Sequence, residues 1–239
     1  GAAQAARPEE AERWFAALQG NRLQPDVLSY NAVIHSWARK KSDSAAMKWL
    51  QSMASAEVTP NTVSYTAAIS AHAKSSDAAG ATRLFNTMDE AALVPDVVAY
   101  NAVLAAHANS GDVDGALELM KRMRERHAQP DVVTWTMAIS ACGNAQPRRR
   151  EDAKGLLRRM LRAGVIPNDF TRRALDRALG RAAREALLCK SAAAGVATRG
   201  LGLHAAGAER GDERDTPAPA RGQRPRAAHT GIDFAPVDP

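Results

Sequence analysis

A proline followed by an acidic or amide residue recurs through most of the chain at nearly constant spacing. The pairs are Pro25-Asp26, Pro60-Asn61, Pro95-Asp96, Pro130-Asp131 and Pro167-Asn168, at intervals of 35, 35, 35 and 37 residues. Regular spacing of this length is typical of a tandem array in which each unit is one supersecondary motif. We take the units as residues 27–61, 62–96, 97–131 and 132–168, and the last unit contains a two-residue insertion.

Each unit contains two segments with the periodicity of an amphipathic helix. In the first segment an aromatic residue at the fourth place is followed four residues later by an aliphatic one. These residues are Tyr30, Tyr65, Tyr100 and Trp135, then Ile34, Ile69, Leu104 and Ile139. In the second segment an alanine, a large apolar residue and a methionine recur: Ala46, Ala81, Ala116 and Ala153; Leu50, Phe85, Met120 and Leu157; Met53, Met88, Met123 and Met160. The sequence therefore predicts a pair of packed helices in every unit.

A single helix pair cannot bury both of its apolar faces, so the units are expected to stack on one another. The predicted fold is all-α, a right-handed superhelical solenoid of two-helix repeats. We expect residues 1–26 to supply only the second helix of a partial repeat, and residues 169–190 a partial repeat that caps the array. Residues 191–239 are rich in Ala, Gly, Arg and Pro without apolar periodicity, which predicts a disordered tail. Trp14, Trp37 and Trp49 are expected in the core.

The unit 97–131, with the sequence VVAYNAVLAAHANSGDVDGALELMKRMRERHAQPD, resembles a pentatricopeptide repeat. This family consists of organelle RNA-binding helical repeats, and the units here are similar to its 35-residue P-type repeat. The resemblance covers roughly residues 9–180. It implies that the chain binds single-stranded RNA, one base per repeat, in a mitochondrion or a chloroplast, where it would act in RNA stability, processing, editing or translation.

The resemblance implies that the fifth and last residues of each unit recognise the base. We call these two residues a reader pair. The four pairs are Asn31 with Asn61, Thr66 with Asp96, Asn101 with Asp131, and Thr136 with Asn168. This role also accounts for an asparagine at place five of a helical segment, because asparagine is a poor helix former.

The chemistry of the reader pairs suits base recognition. Ionised aspartate only accepts hydrogen bonds, so it matches the imino N–H of uracil or guanine, whereas asparagine also serves cytosine or adenine. A fifth-place asparagine fits a pyrimidine, and the shorter threonine leaves space for a purine. The four units are thus expected to read 5′-(C/U)GUA-3′ from N-terminus to C-terminus. The last-place residues are also candidate helix N-caps.

The resemblance assigns roles to two further sets of residues. The second place of each unit would hold an apolar residue that flanks the base, and these residues are Leu28, Val63, Val98 and Val133. The thirteenth place often holds a lysine directed at phosphate, and here Arg39 and Lys74 occupy it while Asn109 and Asn144 depart from the pattern. The net charge of +6 is compatible with a polyanionic partner.

Other function classes find little support in the sequence. The two cysteines form no CxxC motif, and no H-x-E motif of a zinc deaminase occurs. We therefore expect no catalysis, cofactor, metal site, membrane span or small-molecule substrate, and any RNA-processing or translation activity would belong to a recruited factor. The alternative is a protein-binding scaffold, because helical-repeat solenoids also bind peptides.

Overall fold

The computed structural model describes the backbone of residues 7–193 and the side chains of residues 7–189. Within this part of the chain all regular secondary structure is helical. The helices are α1 (Pro8–Gly20), α2 (Val27–Arg39), α3 (Asp43–Ser55), α4 (Thr62–Lys74), α5 (Ala78–Glu90), α6 (Val97–Ser110), α7 (Val113–Glu125), α8 (Val132–Asn144), α9 (Arg150–Arg162), α10 (Asp169–Leu179) and α11 (Arg181–Ala193). The predicted tail, residues 191–239, lies outside the described residues except for the last three residues of α11. None of the described helices is long and apolar enough to cross a membrane.

The start of each first helix is set by the residue that follows the recurring proline. The backbone at that residue is extended and its side chain accepts a hydrogen bond from an N–H in the first helical turn. This holds for Asp26, Asn61, Asp96, Asp131 and Asn168, which precede α2, α4, α6, α8 and α10. Such caps satisfy a backbone donor that the helix itself leaves without a partner. The recurring pair is therefore a helix-start signal.

The apolar residues that recur at fixed places in the units form the core. Met53, Met88, Met123 and Met160 are fully buried. The small alanines of the second helices and the aliphatic residues of the first helices are also buried, and most belong to one continuous cluster that runs from α2 to α11. The small alanine side chain at this place lets the paired helices approach closely.

The array is held together mainly through its first helices. The helices α2, α4, α6, α8 and α10 each pack on the next member of this row, and each second helix packs on the first helices on either side of it. Neighbouring second helices are joined by side chains, as when Arg122 on α7 donates to Asn86 Oδ1 and Asp89 Oδ2 on α5 at 3.0 Å. The predicted all-α solenoid of two-helix repeats is confirmed.

The N-terminal helix α1 packs on α2 as a second helix would. The Phe15 ring contacts the Tyr30 and Trp49 rings edge-on, with centroids 4.7 and 4.8 Å apart. Trp37 and Trp49 both donate from Nε1 to Glu12 Oε1. The expectation that Trp14 lies in the core is wrong, because its side chain is 66% exposed and is not part of the cluster that Ala11 and Phe15 form with Tyr30 and Val33.

The turns between helices use left-handed backbone at fixed places. Second helices are followed by a residue of positive φ, and this residue is Glu57, Ala92 or His127 in the first three units and Gly164 in the fourth. Side chains other than glycine pay about 1–2 kcal/mol for this conformation. The first unit has Lys41 at the place where the third unit has Gly111, with φ of 62° and 74°, so the turn forms without glycine.

Replacement of Ala92 by glycine should stabilise the protein. Ala92 is exposed and has a φ of 56°, so Ala92→Gly removes backbone strain and loses no packing. We expect a gain of about 0.5–1 kcal/mol after subtracting the greater unfolded-state entropy of glycine. Ala91 has a φ of −74°, so Ala91→Gly should destabilise the protein instead. Urea unfolding of the two variants checks the difference, and a loss of stability in Ala92→Gly would contradict it.

Candidate nucleic-acid interface

The last residue of every unit has one polar atom committed to a helix cap. Asp96 Oδ1 accepts the N–H of Ala99 at 2.8 Å, and Asp131 Oδ1 accepts that of Thr134 at 2.8 Å. Asn61 and Asn168 cap with Oδ1 at 3.0 and 2.9 Å. All four residues are exposed. The cap therefore uses only one of the two polar atoms at the end of each side chain.

The identity of the accessible atom follows from the cap. An aspartate that caps through Oδ1 offers Oδ2, which can only accept a hydrogen bond. An asparagine must also use its oxygen for the cap, because the cap partner is an N–H, and it therefore offers Nδ2 as a donor. The cap thus fixes the amide orientation of Asn61 and Asn168. The cap makes these two asparagines donors, and it makes Asp96 and Asp131 acceptors. Helix capping and base recognition, the two roles predicted for the last-place residue, are therefore compatible.

The fifth-place residues lie directly beside these caps in two of the four units. Asn31 Nδ2 is 3.4 Å from Asn61 Oδ1, and Asn101 Nδ2 is 3.3 Å from Asp131 Oδ1 and 3.4 Å from Oδ2. Asn31 is only 6% exposed. The structure therefore brings together two of the predicted reader pairs by direct contact, with the fifth-place side chain behind the last-place one.

The other two reader pairs have no direct bond among the described residues. Thr136 Oγ1 and Asn168 Oδ1 are joined through the Thr171 hydroxyl, which lies 2.7 Å from the first and 2.9 Å from the second. Thr66 Oγ1 is buried and has no hydrogen-bond partner in the described part of the chain. The second unit therefore differs from the other three.

A groove of about 330 Å³ opens at the fourth reader pair, between α8 and α10. Thr136, Ser140 and Asn168 supply its uncharged polar side chains, and Val133 and Phe170 lie among its apolar lining. Arg173 and Arg177 also line it. Flat apolar walls around a polar pair, with cations nearby, match the needs of a nucleobase and its phosphate.

The second-place residues form a row of exposed apolar side chains. Their exposed fractions are 74% for Leu28, 50% for Val63, 63% for Val98 and 45% for Val133. Large apolar side chains exposed in a series are unusual for a soluble protein and indicate a binding surface. The row lies at the N-terminal ends of the first helices, next to the last-place caps.

Sequence reasoning missed Phe170, which continues this row. It is the second residue of the partial unit after residue 168, its side chain is 70% exposed, and the Arg173 guanidinium lies 5.8 Å from its ring centroid. Counting the repeat frame one unit further would have identified it. Aromatic rings provide larger stacking surfaces than valine.

A positive cluster lies at the far ends of α2 and α4. Arg39 and Lys74 are exposed. Each lies two steps of four residues after the fifth-place residue of its unit, with His35 or Ser70 at the intermediate step. Burial, together with the cations Arg39 and Lys41, lowers the pKa of Lys74. Burial and the charges of Lys74 and Arg39 likewise lower the pKa of His35. Burial is the larger cause of both shifts, and the contribution of the neighbouring cations reflects the positive charge of this cluster.

The two asparagines at the thirteenth place have a structural role. Asn109 Nδ2 donates to Ala73 O at 2.8 Å, and Asn144 Nδ2 donates to Ala108 O at 2.7 Å. Each asparagine thus binds the C-terminal end of the preceding first helix, where carbonyl groups lack helical partners. This explains why these units depart from the lysine pattern.

One group of side chains in the described residues has the composition of a metal site. Single ligand atoms of Asp43, His72 and Asp77 lie within 4.8 Å of one another. However, His72 Nδ1 is 2.9 Å from Asp77 Oδ2, and Asp77 also caps α5 through Gly80 N–H. The third unit repeats this arrangement with His107 and Asp112, so the histidine-aspartate contact is explained as part of a helix cap.

The charge state of Asp131 is fixed by its surroundings. Partial burial acts to raise its pKa, but hydrogen bonds from the N–H and hydroxyl of Thr134 and from Asn101 outweigh that effect, so the pKa lies below its usual range. Asp131 is therefore ionised at neutral pH and accepts hydrogen bonds only.

Substitutions of Asp131 should separate the capping role from the charge. Asp131→Ala removes the cap of α8 and should cost about 1 kcal/mol of unfolding free energy. Asp131→Asn keeps a capping oxygen and should cost only a few tenths of a kcal/mol of unfolding free energy at neutral pH. Because the folded pKa is lowered, the charge stabilises the protein fully above the usual aspartate pKa, and the advantage over Asn should be lost as the pH falls from that value through the lower folded pKa. Equal losses for both variants in urea unfolding at neutral pH would contradict the cap.

Comparisons with known proteins agree with this geometry. Residues 25–74 and 95–144 match the PPR repeat family, and residues 63–91 match the PPR repeat. No curated protein sequence matches the chain.

Solved structures of similar fold are also repeat proteins. The pentatricopeptide repeat protein PPR10 from maize is 25% identical over 81% of this chain and 27% of that chain, with a TM-score of 0.58. PPR10 in complex with an 18-nt psaJ RNA element is 21% identical over 82% and 29%, with a TM-score of 0.67. The PPR domain of Arabidopsis thaliana protein-only RNase P 1, in complex with tRNA, is 17% identical over 73% and 91%, with a TM-score of 0.61. This chain thus spans less than a third of the length of the PPR10 chains.

The repeat frame, the capped first helices and the row of exposed apolar residues agree with these matches, and the chain belongs to the pentatricopeptide repeat family.

Proposed function

We propose that this chain binds single-stranded RNA sequence-selectively, with one base at each repeat, and that it reads 5′-(C/U)GUA-3′. The observation that carries the proposal is the groove at the fourth unit, which the reader pair Thr136 and Asn168 lines together with Val133 and Phe170. The same arrangement of places recurs in the other units. PPR10 and the PPR domain of protein-only RNase P 1 were both solved with RNA bound, which supports the same class of partner here.

The hydrogen-bonding atoms left by the caps support the base assignments. Oδ2 of Asp96 and of Asp131 would accept the imino N–H of guanine and of uracil. Nδ2 of Asn168 would donate to N1 of adenine. Nδ2 of Asn61 favours cytosine over uracil at the first base, because N3 of uracil carries a hydrogen and would face a second donor. A mismatch leaves a desolvated polar group without a partner, which costs about 1–3 kcal/mol.

The backbone of the RNA would be bound by the basic residues of the groove. Arg39 and Lys74 supply cations at one end, and Arg173 and Arg177 supply them at the fourth unit. Phosphate contacts of this kind strengthen binding without selecting bases. Each neutralised phosphate should contribute about −0.7 to the slope of log affinity against log salt.

Family membership supports a proposal for the biological setting. We propose that the protein acts in a mitochondrion or chloroplast, on RNA stability, processing, editing or translation. In this proposal the chain itself supplies recognition, and any cleavage or editing belongs to a recruited factor. A four-base site is short, so a longer array or a partner would add the selectivity that one transcript requires.

Exchange of one last-place residue should change the base preference of one repeat. Fluorescence anisotropy at low salt would compare RNA oligonucleotides containing CGUA with versions that carry A, C or G at the third base. Wild type should prefer U by roughly tenfold, and Asp131→Asn should shift the preference to C. The matched control is Asp26→Asn. Asp26 caps α2 in the same way, through a bond from the Ser29 N–H at 2.9 Å. The described residues contain no first helix before α1, so Asp26 has no fifth-place partner among them.

The outcome also separates the alternative function. Equal binding of all four RNAs by wild type would contradict base reading. Binding of a peptide in the groove, with no RNA binding, would favour a protein-binding scaffold instead.

The pKa of Lys74 should report phosphate binding. In the free protein NMR titration should give a pKa below the usual lysine range, and Arg39→Gln should raise it by removing a nearby cation. Bound RNA should raise the pKa as well, because phosphate anions stabilise the charged form. An unchanged pKa in the RNA complex would show that Lys74 does not lie near phosphate.

A further inference from the structure

A hydroxyl from the following repeat links three of the four reader pairs. It belongs to the third residue of that repeat, which is Ser64, Thr134 or Thr171 in three cases. In the remaining case this place holds Ala99, which has no hydroxyl. All four are buried, and each lies in the first turn of a first helix, where its backbone N–H is the donor of the cap. Their side chains therefore lie behind the last-place residue rather than in the groove.

The third reader pair shows how the link operates. The Asp131 carboxylate can only accept, so it orients Nδ2 of Asn101 toward itself, at 3.3 and 3.4 Å. Asn101 Oδ1 must then point the other way, where the Thr134 hydroxyl lies at 2.7 Å and donates to it. The same hydroxyl is 2.8 Å from Asp131 Oδ1. The hydroxyl has a single hydrogen, so it donates to Asn101 Oδ1 while the Thr134 N–H holds Asp131 Oδ1. The three side chains are thus linked in one arrangement.

The first and fourth pairs have equivalent links. The Ser64 hydroxyl lies 2.6 Å from Asn31 Oδ1 and 3.1 Å from Asn61 Oδ1. In the fourth unit Thr136 donates to Val132 O at 2.7 Å. The Thr171 hydroxyl is then the donor available between Thr136 and Asn168. The chemistry of the pair differs between units, but the position of the linking hydroxyl does not.

The second pair lacks this link because Ala99 occupies the third place. The consequence is visible at Thr66, whose buried Oγ1 has no partner in the described residues. Among the described residues the Asp96 side chain makes one hydrogen bond, to the Ala99 N–H at 2.8 Å. An unpaired buried hydroxyl is costly, and its presence indicates a gap where the other units have a hydroxyl.

We propose that the third residue of the following repeat is a positioning residue for base recognition: a hydroxyl there holds the reader pair in its binding orientation and sharpens selectivity at that base, and Ala99 leaves the second base the least sharply read. The proposal rests on the proposed RNA-binding function. Pre-organised groups lose less freedom on binding and penalise mismatches more fully, because they do not reorient toward a wrong base.

The test uses the whole chain and RNA oligonucleotides that vary one base of CGUA at a time. Thr134→Val keeps the β-branched shape and removes the hydroxyl, and Thr134→Ser keeps the hydroxyl as the matched control. Ala99→Ser adds the hydroxyl where the second unit lacks it. The measured quantity is the ratio of affinities for the preferred and the other bases, which does not depend on the fraction of folded protein.

Thr134→Val should reduce the preference for U at the third base by about fivefold, the equivalent of one hydrogen bond, and leave the first base unaffected. Thr134→Ser should retain the wild-type ratio. Ala99→Ser should raise the preference for G at the second base by a similar factor. Because the readout is a ratio of affinities, lost stability does not produce the effect.

Two results would overturn the proposal, and they are distinguishable. If wild type selects CGUA but Thr134→Val weakens all RNAs equally and Ala99→Ser changes no ratio, the third residue only stabilises the helix and base reading stands without it. If wild type shows no base preference at all, the proposed function fails and the positioning role fails with it.

Discussion

The hydrogen bond between the last residue of each unit and the first turn of the next first helix is the interaction on which the rest depends. It starts the helix at a fixed residue after the recurring proline, and therefore fixes which residues of that helix face the core and which face the groove. Asp131 shows the arrangement in full: Oδ1 accepts the Thr134 N–H at 2.8 Å, and Oδ2, which has only the 3.4 Å contact with Asn101 Nδ2, keeps a lone pair for a further donor. A structural requirement thus presents a defined donor or acceptor once per repeat.

Stacking then turns these local sites into a surface. The first helices pack directly on one another, so their N-terminal ends follow in series, each with an exposed apolar residue beside a cap. Buried alanines and methionines keep the second helices close behind this row. In units three and four, Asn109 and Asn144 tie the other ends of the first helices together. The spacing of the candidate base sites is therefore a property of the helix packing.

Features that recur in every repeat unit could be predicted from the sequence. The helix pairs, the buried stripe and the caps all follow from residue types at fixed places. Side-chain links between units could not, because hydrogen bonds such as those of Thr134 and Asn109 depend on distances across the interface. Trp14 was misjudged because helical spacing does not say which apolar face has a neighbour. Phe170 was missed because the frame was not extended into the partial unit.

The most direct test of the account is a crystal structure of the protein with an RNA containing CGUA. We expect Asp131 Oδ1 to keep its bond to the Thr134 N–H while Oδ2 accepts the imino hydrogen of uracil. The base should lie between Val98 and Val133. An RNA bound on another face, or a uracil that Asp131 contacts only after leaving its cap, would contradict the claim that one side chain both starts the helix and reads the base.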